Sequence, residues 1–102
     1  MLNDTIGAIS TPYGKGGVAV IRISGDTALD VAKRVFKLKT STVEPRKAYY
    51  GEIVRGDTVI DDGILTYFKA PNSFTGQDVC EIACHGGIYS TQAVLEAVLS
   101  VP

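Results

Sequence analysis

The sequence predicts a single α+β domain in which a sheet is covered by helices, and three observations carry that expectation. The first is length: 102 residues suffice for one modest core but not for a catalytic domain plus a substrate domain. The second is composition: 45% hydrophobic and 21% charged residues exclude a disordered or coiled-coil chain. The third is the order of hydrophobic periodicities, which reads strand-strand-helix-strand-strand-strand-helix, a pattern that builds a layer of sheet and helices.

Thr5 to Ser10 is a brief apolar strand, cut off by Thr11-Pro12-Tyr13-Gly14-Lys15-Gly16-Gly17, a dense loop signal. Val18 to Ile23 is β-branched and apolar on both parities, which predicts a strand covered on both faces; only Arg22 breaks the pattern. Ser24-Gly25-Asp26-Thr27 offers N-cap oxygens, and Leu29, Ala32, Val35 and Phe36 then recur at helical spacing, so an amphipathic helix should end near Lys37. Lys39 to Pro45 is polar and reads as a linker. Ala48 to Val54 and Thr58 to Phe68 read as a hairpin around Arg55-Gly56-Asp57.

Ala70 to Gly76 is a second dense loop, and Val79 to Cys84 follows as a strand. Gly86-Gly87 then precedes an apolar stripe, Ile88, Val94, Leu95, Val98 and Leu99, on a helix running to about Ser100.

Several function classes are disfavoured at once. A formal net charge of -1 gives no global reason to bind nucleic acid, so any RNA contact must be local. The N-terminus lacks a basic region followed by an apolar stretch, and no run approaches the roughly 18 apolar residues of a membrane span. Two cysteines do not make a disulfide framework, so a soluble, cytoplasmic protein is expected.

Arg22 is the most informative residue, because an arginine in an apolar strand must meet an anion or reach solvent along its stem. It is either half of a structural ion pair or a ligand contact. Glu81 is the matching anomaly: alternation sets it on one strand face with Val79, Ala83 and His85, opposite Cys80, Ile82 and Cys84. It can pair with Arg22, or accept two parallel N–H bonds from a heterocycle such as a pterin. Those uses compete.

Cys80, Cys84 and His85 suggest a metal or a Cys-His nucleophile, but parity points the thiols away from the imidazole and a fourth ligand is missing, so no metal is expected. His85 precedes Gly86-Gly87 and a helix start, where free backbone N–H groups favour a polar ligand edge. Gly14-Lys15-Gly16-Gly17 is not a Walker A loop, since no glycine stands five residues before the lysine and no Ser or Thr follows it. Phe74 either caps a pocket by stacking or packs its own loop down. The basic residues Lys33, Arg34, Lys37, Lys39, Arg46 and Lys47 fall in one stretch and read as a solvated surface, with a local RNA contact as the other reading.

The blocks Asp4-Thr5-Ile6, Thr11-Pro12-x-Gly14-x-Gly16-Gly17, Arg22-Ile23-Ser24-Gly25, Pro71-Asn72-Ser73-Phe74-Thr75-Gly76-x-Asp78 and His85-Gly86-Gly87 occur in one order across essentially the whole chain. That ordered set resembles the start of the tRNA-modification GTPase family known as MnmE or TrmE. The resemblance implies that residues 1–102 are its N-terminal folate-binding and dimerisation domain: half of a fold similar to that of glycine-cleavage T-proteins, completed by homodimerisation with first strands exchanged. It implies a 5-formyl- or 5,10-methylene-tetrahydrofolate ligand, contacted by Arg22 and Glu81, with Phe74, His85 and Gly86 as pocket walls.

For the whole family protein the resemblance implies GTP hydrolysis with Mg2+ and K+. It also implies partnership with the flavoprotein MnmG (GidA), and modification of the wobble uridine of tRNA through a folate-derived one-carbon unit. Those activities belong to helical and GTPase domains beyond this chain, so the chain itself is expected to carry no catalytic residues. Tyr13 and Gln77 depart from the family's usual proline and glutamate, which leaves position 77 without a carboxylate. Two other readings stay open: a small hydrolase using His85 with Cys84 or Asp78, and a self-association adaptor.

Overall fold

The computed structural model describes residues 5–9, 17–73 and 75–101. Among them six strands and two helices form in the order β1 (Ile6–Ile9), β2 (Val18–Ser24), α1 (Ala28–Val35), β3 (Phe36–Lys37), β4 (Ala48–Arg55), β5 (Thr58–Phe68), β6 (Val79–His85) and α2 (Ile88–Leu99). The strands make one antiparallel sheet in the order β1-β2-β6-β5-β4-β3. The predicted α+β class is observed.

The core follows from strand parity. Ile21 and Ile23 of β2, Ile53 of β4, Leu65 of β5 and Cys80 and Ile82 of β6 are all fully buried in one cluster with Ala28, Ala32 and Val35 of α1 and Val94, Ala97 and Val98 of α2. Alanines at positions 28, 32 and 97 let the helix backbones lie close to the sheet, where a larger side chain would hold them off. Ile82 sits in the central β6 with no exposure, so Ile82→Val should lower unfolding free energy by about 1 kcal/mol, measured by urea denaturation, through lost burial and a small void.

Both helices pack into the same cluster, which corrects the expectation for β2. Its odd positions are buried, but Val18 on the other parity is 61% exposed and Val20, Arg22 and Ser24 are only partly covered. The sheet is therefore covered on one side and open on the other. β-branched residues on both parities satisfy strand propensity whether or not a second layer covers them.

Other boundaries shift for local reasons. α1 ends at Val35, not near Lys37: Phe36 turns extended (φ -135, ψ 119) and pairs with Ile53, adding β3 at the sheet edge. Burial of the Phe36 ring competes successfully with one more helical turn. The polar linker also contributes to the core, with Val43 only 9% exposed. The hairpin forms as expected, its turn narrowed to Gly56-Asp57 with Gly56 at φ 60, a conformation that costs glycine little. α2 starts at the N-cap Gly87, whose carbonyl accepts the buried Thr91 hydroxyl at 2.8 Å.

Candidate site on the open sheet face

The open face brings together the two charged residues singled out in the sequence. Antiparallel register sets Arg22 directly opposite Glu81, flanked by Ala8 on β1 and Thr66 on β5. Arg22 donates from Nε (3.2 Å) and from its NH2 nitrogen (2.8 Å), both to Oε2 of Glu81. Because the fork converges on one oxygen, Oε1 lies outside the pair. The side chains keep 33% and 23% of their exposure, so the pair is half-buried on the sheet and still reached by solvent. Cross-strand opposite charges of this kind contribute up to about 1 kcal/mol.

Around this polar island the face is apolar. Ile6, Val18 and Ile64 are large, exposed hydrophobics on it, as is the Tyr50 ring, and a groove of about 260 Å3 runs past Val18, Tyr50, Ile64, Ala83 and His85. His85 shares the face of Glu81 but stands four residues further along β6, about 13 Å at strand rise. The structure thus joins Arg22 to Glu81 and sets His85 and Gly86 at the far end of the same strand. Gly86 is anchored there by its N–H to the Gly17 carbonyl at 3.3 Å. Phe74 and the Gly14-Lys15-Gly16 loop lie outside the described residues.

His85 meets a partner that the sequence did not suggest. Its Nδ1 lies 2.6 Å from Oδ1 of Asp61, and its backbone N–H donates to Oδ2 of the same carboxylate at 3.0 Å. Asp62 adds a second carboxylate 3.6 Å from Nδ1 and accepts the Tyr50 hydroxyl. The hydrogen bond to Asp61, then its charge, raise the His85 pKa above the usual imidazole value. For Asp61, burial alone would favour the neutral acid. Bonds from the His85 amide and ring and from the Asp62 amide together outweigh it, and the carboxyl is held below its ordinary pKa. The signal in the sequence was two adjacent carboxylates inside a strand-like run; only the tertiary arrangement shows that both come within reach of the same imidazole.

His85 is paired with neither Asp78 nor Cys84. Asp78 accepts the Ala70 N–H through Oδ1 at 2.9 Å, and His85 is held by Asp61 instead. Cys84 is 4% exposed, with its thiol pushed up to about 11 by burial and then by the Asp61 charge; Cys80 is fully buried and pushed up to about 12. An aromatic disulfide reagent at pH 8 should therefore label neither thiol appreciably in the folded chain and both in denaturant, because the thiolate is the nucleophile. Rapid native labelling would contradict this burial.

Most of the basic stretch is exposed surface, although Arg46 is engaged, donating to the Asn72 carbonyl at 3.0 Å and lying over the Phe68 ring. Among the described residues Asp61, Asp62 and His85 are the group spaced closely enough to share a cation, with ligand atoms within 4.8 Å of one another.

Comparison with known proteins bears on the identity of this face. The family described as "GTP-binding protein TrmE N-terminus" matches residues 5–101, nearly the whole chain. The chain belongs to the TrmE N-terminus family. Similar proteins include the tRNA modification GTPase MnmE of Helicobacter acinonychis, 46% identical over 100 residues, and that of Clostridioides difficile, 47% identical over 103. The MnmE of Pseudothermotoga lettingae is 45% identical over 98 residues. These alignments cover 98%, 97% and 95% of this chain but 22% of each relative, so the TrmE N-terminal chain spans about a fifth of their length. No helix among its described residues is long and apolar enough to cross a membrane.

Proposed function

We propose that this chain is the tetrahydrofolate-binding and homodimer-forming module of a tRNA-modification GTPase. The observation that carries the reading is the Arg22–Glu81 pair on an otherwise apolar, uncovered sheet face. A pterin presents an amino group beside a ring N–H, which together match a carboxylate; Oε1 of Glu81 takes no part in the two bonds from Arg22, which supports its use as an acceptor for one of those donors. Arg22 then orients Glu81 through its two bonds to Oε2, so the two uses are compatible. The apolar surround suits the flat ring system, with Phe74 and the His85-Gly86-Gly87 turn as walls.

An open sheet face with this much exposed apolar surface also suits a second copy of the chain. In the single chain β1 pairs with its own β2; in the dimer proposed here the first strands exchange and complete the T-protein-like fold. The bound folate, 5-formyl or 5,10-methylene, supplies the one-carbon unit. GTP hydrolysis with Mg2+ and K+, partnership with MnmG (GidA) and modification of the tRNA wobble uridine in the cytoplasm belong to the longer protein.

Calorimetry of the full-length protein with 5-formyltetrahydrofolate should show saturable binding, and sedimentation of the same protein should show a dimer. Absence of binding heat from a folded, dimeric protein would overturn the ligand assignment.

A further inference from the structure

We infer that Asp61 is a positioning residue for His85, clamping the ring and backbone of that histidine so that Nε2 is the nitrogen presented to the groove. This role rests on the folate reading above, in which the His85-Gly86 turn walls the site, but the clamp itself is a property of the unliganded chain.

The geometry is two-handed. One carboxylate oxygen engages Nδ1 at 2.6 Å and the other accepts the His85 amide at 3.0 Å, so both the χ angles and the backbone of His85 are tied to a single side chain. That side chain is itself only 10% exposed, against 66% for the imidazole. The exposed partner is thus held by the buried one. An acceptor at Nδ1 selects the Nδ1–H form of the neutral ring and leaves Nε2 as a lone-pair acceptor; after protonation Nε2–H becomes a donor on the same vector.

The groups facing the ring are Asp61 and Asp62 of β5, with Tyr50 of β4 bound to Asp62, while the cross-strand neighbour on β2 is the uncharged Val18. Protonation of His85 is therefore favoured by its surroundings. The tie also crosses a gap in the sheet: the β5–β6 ladder ends at Ile64 and Ala83, and Asp61 reaches His85 beyond it. On its β5 side the end of β6 is thereby held by a side chain where backbone pairing has stopped, while on the β2 side His85 and Gly86 still pair with Val18 and Gly17.

His85 is the one histidine of the chain, so a long-range 1H–15N spectrum reports its tautomer and titration without assignment ambiguity. The wild type should show the Nδ1–H tautomer at high pH and titrate above about 6.5, the ordinary imidazole value. Asp61→Asn keeps one acceptor but turns the other oxygen into a donor facing an N–H, so the pKa should fall and the Nε2–H tautomer should appear. Asp62→Asn should leave the tautomer unchanged. A wild type dominated by Nε2–H, or an Asp61→Asn spectrum identical to it, would overturn the clamp; should Asp61→Asn not fold, the wild-type tautomer decides alone.

The positioning role is read separately in the full-length protein. Asp61→Asn and His85→Gln should each weaken 5-formyltetrahydrofolate about tenfold, and the double variant no further. Additive losses would overturn action through His85. No binding by the wild type would instead overturn the folate reading, with the spectra still deciding the clamp.

Discussion

Gly63→Ala is expected to lower unfolding free energy by about 3 kcal/mol, a fall in Tm of roughly 15 °C for a domain of this size. Gly63 lies on β5 against the backbone of β6: a Cβ there would stand 2.1 Å from the Ala83 carbonyl oxygen and 3.1 Å from Ile53 Cδ1. The first contact is with backbone, which cannot rotate aside as the end of a side chain can. Relief requires separating β5 from β6 next to the Ile64–Ala83 pair, and the β5–β6 ladder lies in the middle of the sheet. A loss of that size is a large part of the roughly 5–15 kcal/mol that holds a domain together. Gly17→Ala provides the contrast, since nothing lies within 4 Å of a Cβ there, and its effect should stay within about 0.5 kcal/mol. Thermal denaturation of the two variants checks the comparison; equal stability would mean that β5 and β6 are not so closely apposed.

Arg22→Ala should weaken 5-formyltetrahydrofolate about 30-fold, near 2 kcal/mol, as loss of a charge-assisted contact in a partly desolvated site. Glu81→Ala should do at least as much, because it removes the carboxylate matched to the pterin donors. The stability cost of either should be only about 1 kcal/mol, since the pair is partly exposed and screened. That difference separates the two readings of these residues. If the pair is structural alone, both variants lose stability while affinity is unchanged. If it serves the ligand, affinity falls much more than stability does. Arg22→Lys refines the test: it keeps the charge but loses the Nε and NH2 fork that converges on Oε2, so it should recover only part of the affinity. Calorimetry beside urea denaturation on the same preparations supplies both numbers.

Much of this face was legible before any coordinates. Arg22 and Glu81 stood out as charges in apolar strands, and parity alone set Glu81 apart from the cysteines that turned out to be core. Their pairing needed only that β2 lie beside β6 in the observed register. The same parity argument pointed the thiols away from the imidazole and toward the core, where both are buried. What could not be read was the company of His85: Asp61 is 24 positions away, and nothing local to either residue marks the other. The added edge strand at Phe36-Lys37 escaped for a similar reason, since its helical spacing was sound and a pairing with Ile53 overrode it.

The sequence by itself determined the class of the fold, the placement of helices and hairpin, and which side chains would be anomalous where they stood, because these follow from periodicity, turn chemistry and the cost of burying charge. The tertiary structure alone decided that both helices lie on one side of the sheet, leaving β2 uncovered on the other. It alone set the carboxylate of Asp61 across both polar groups of His85. Such facts depend on strand order and register between distant segments, and a residue's own neighbours in sequence carry no information about either.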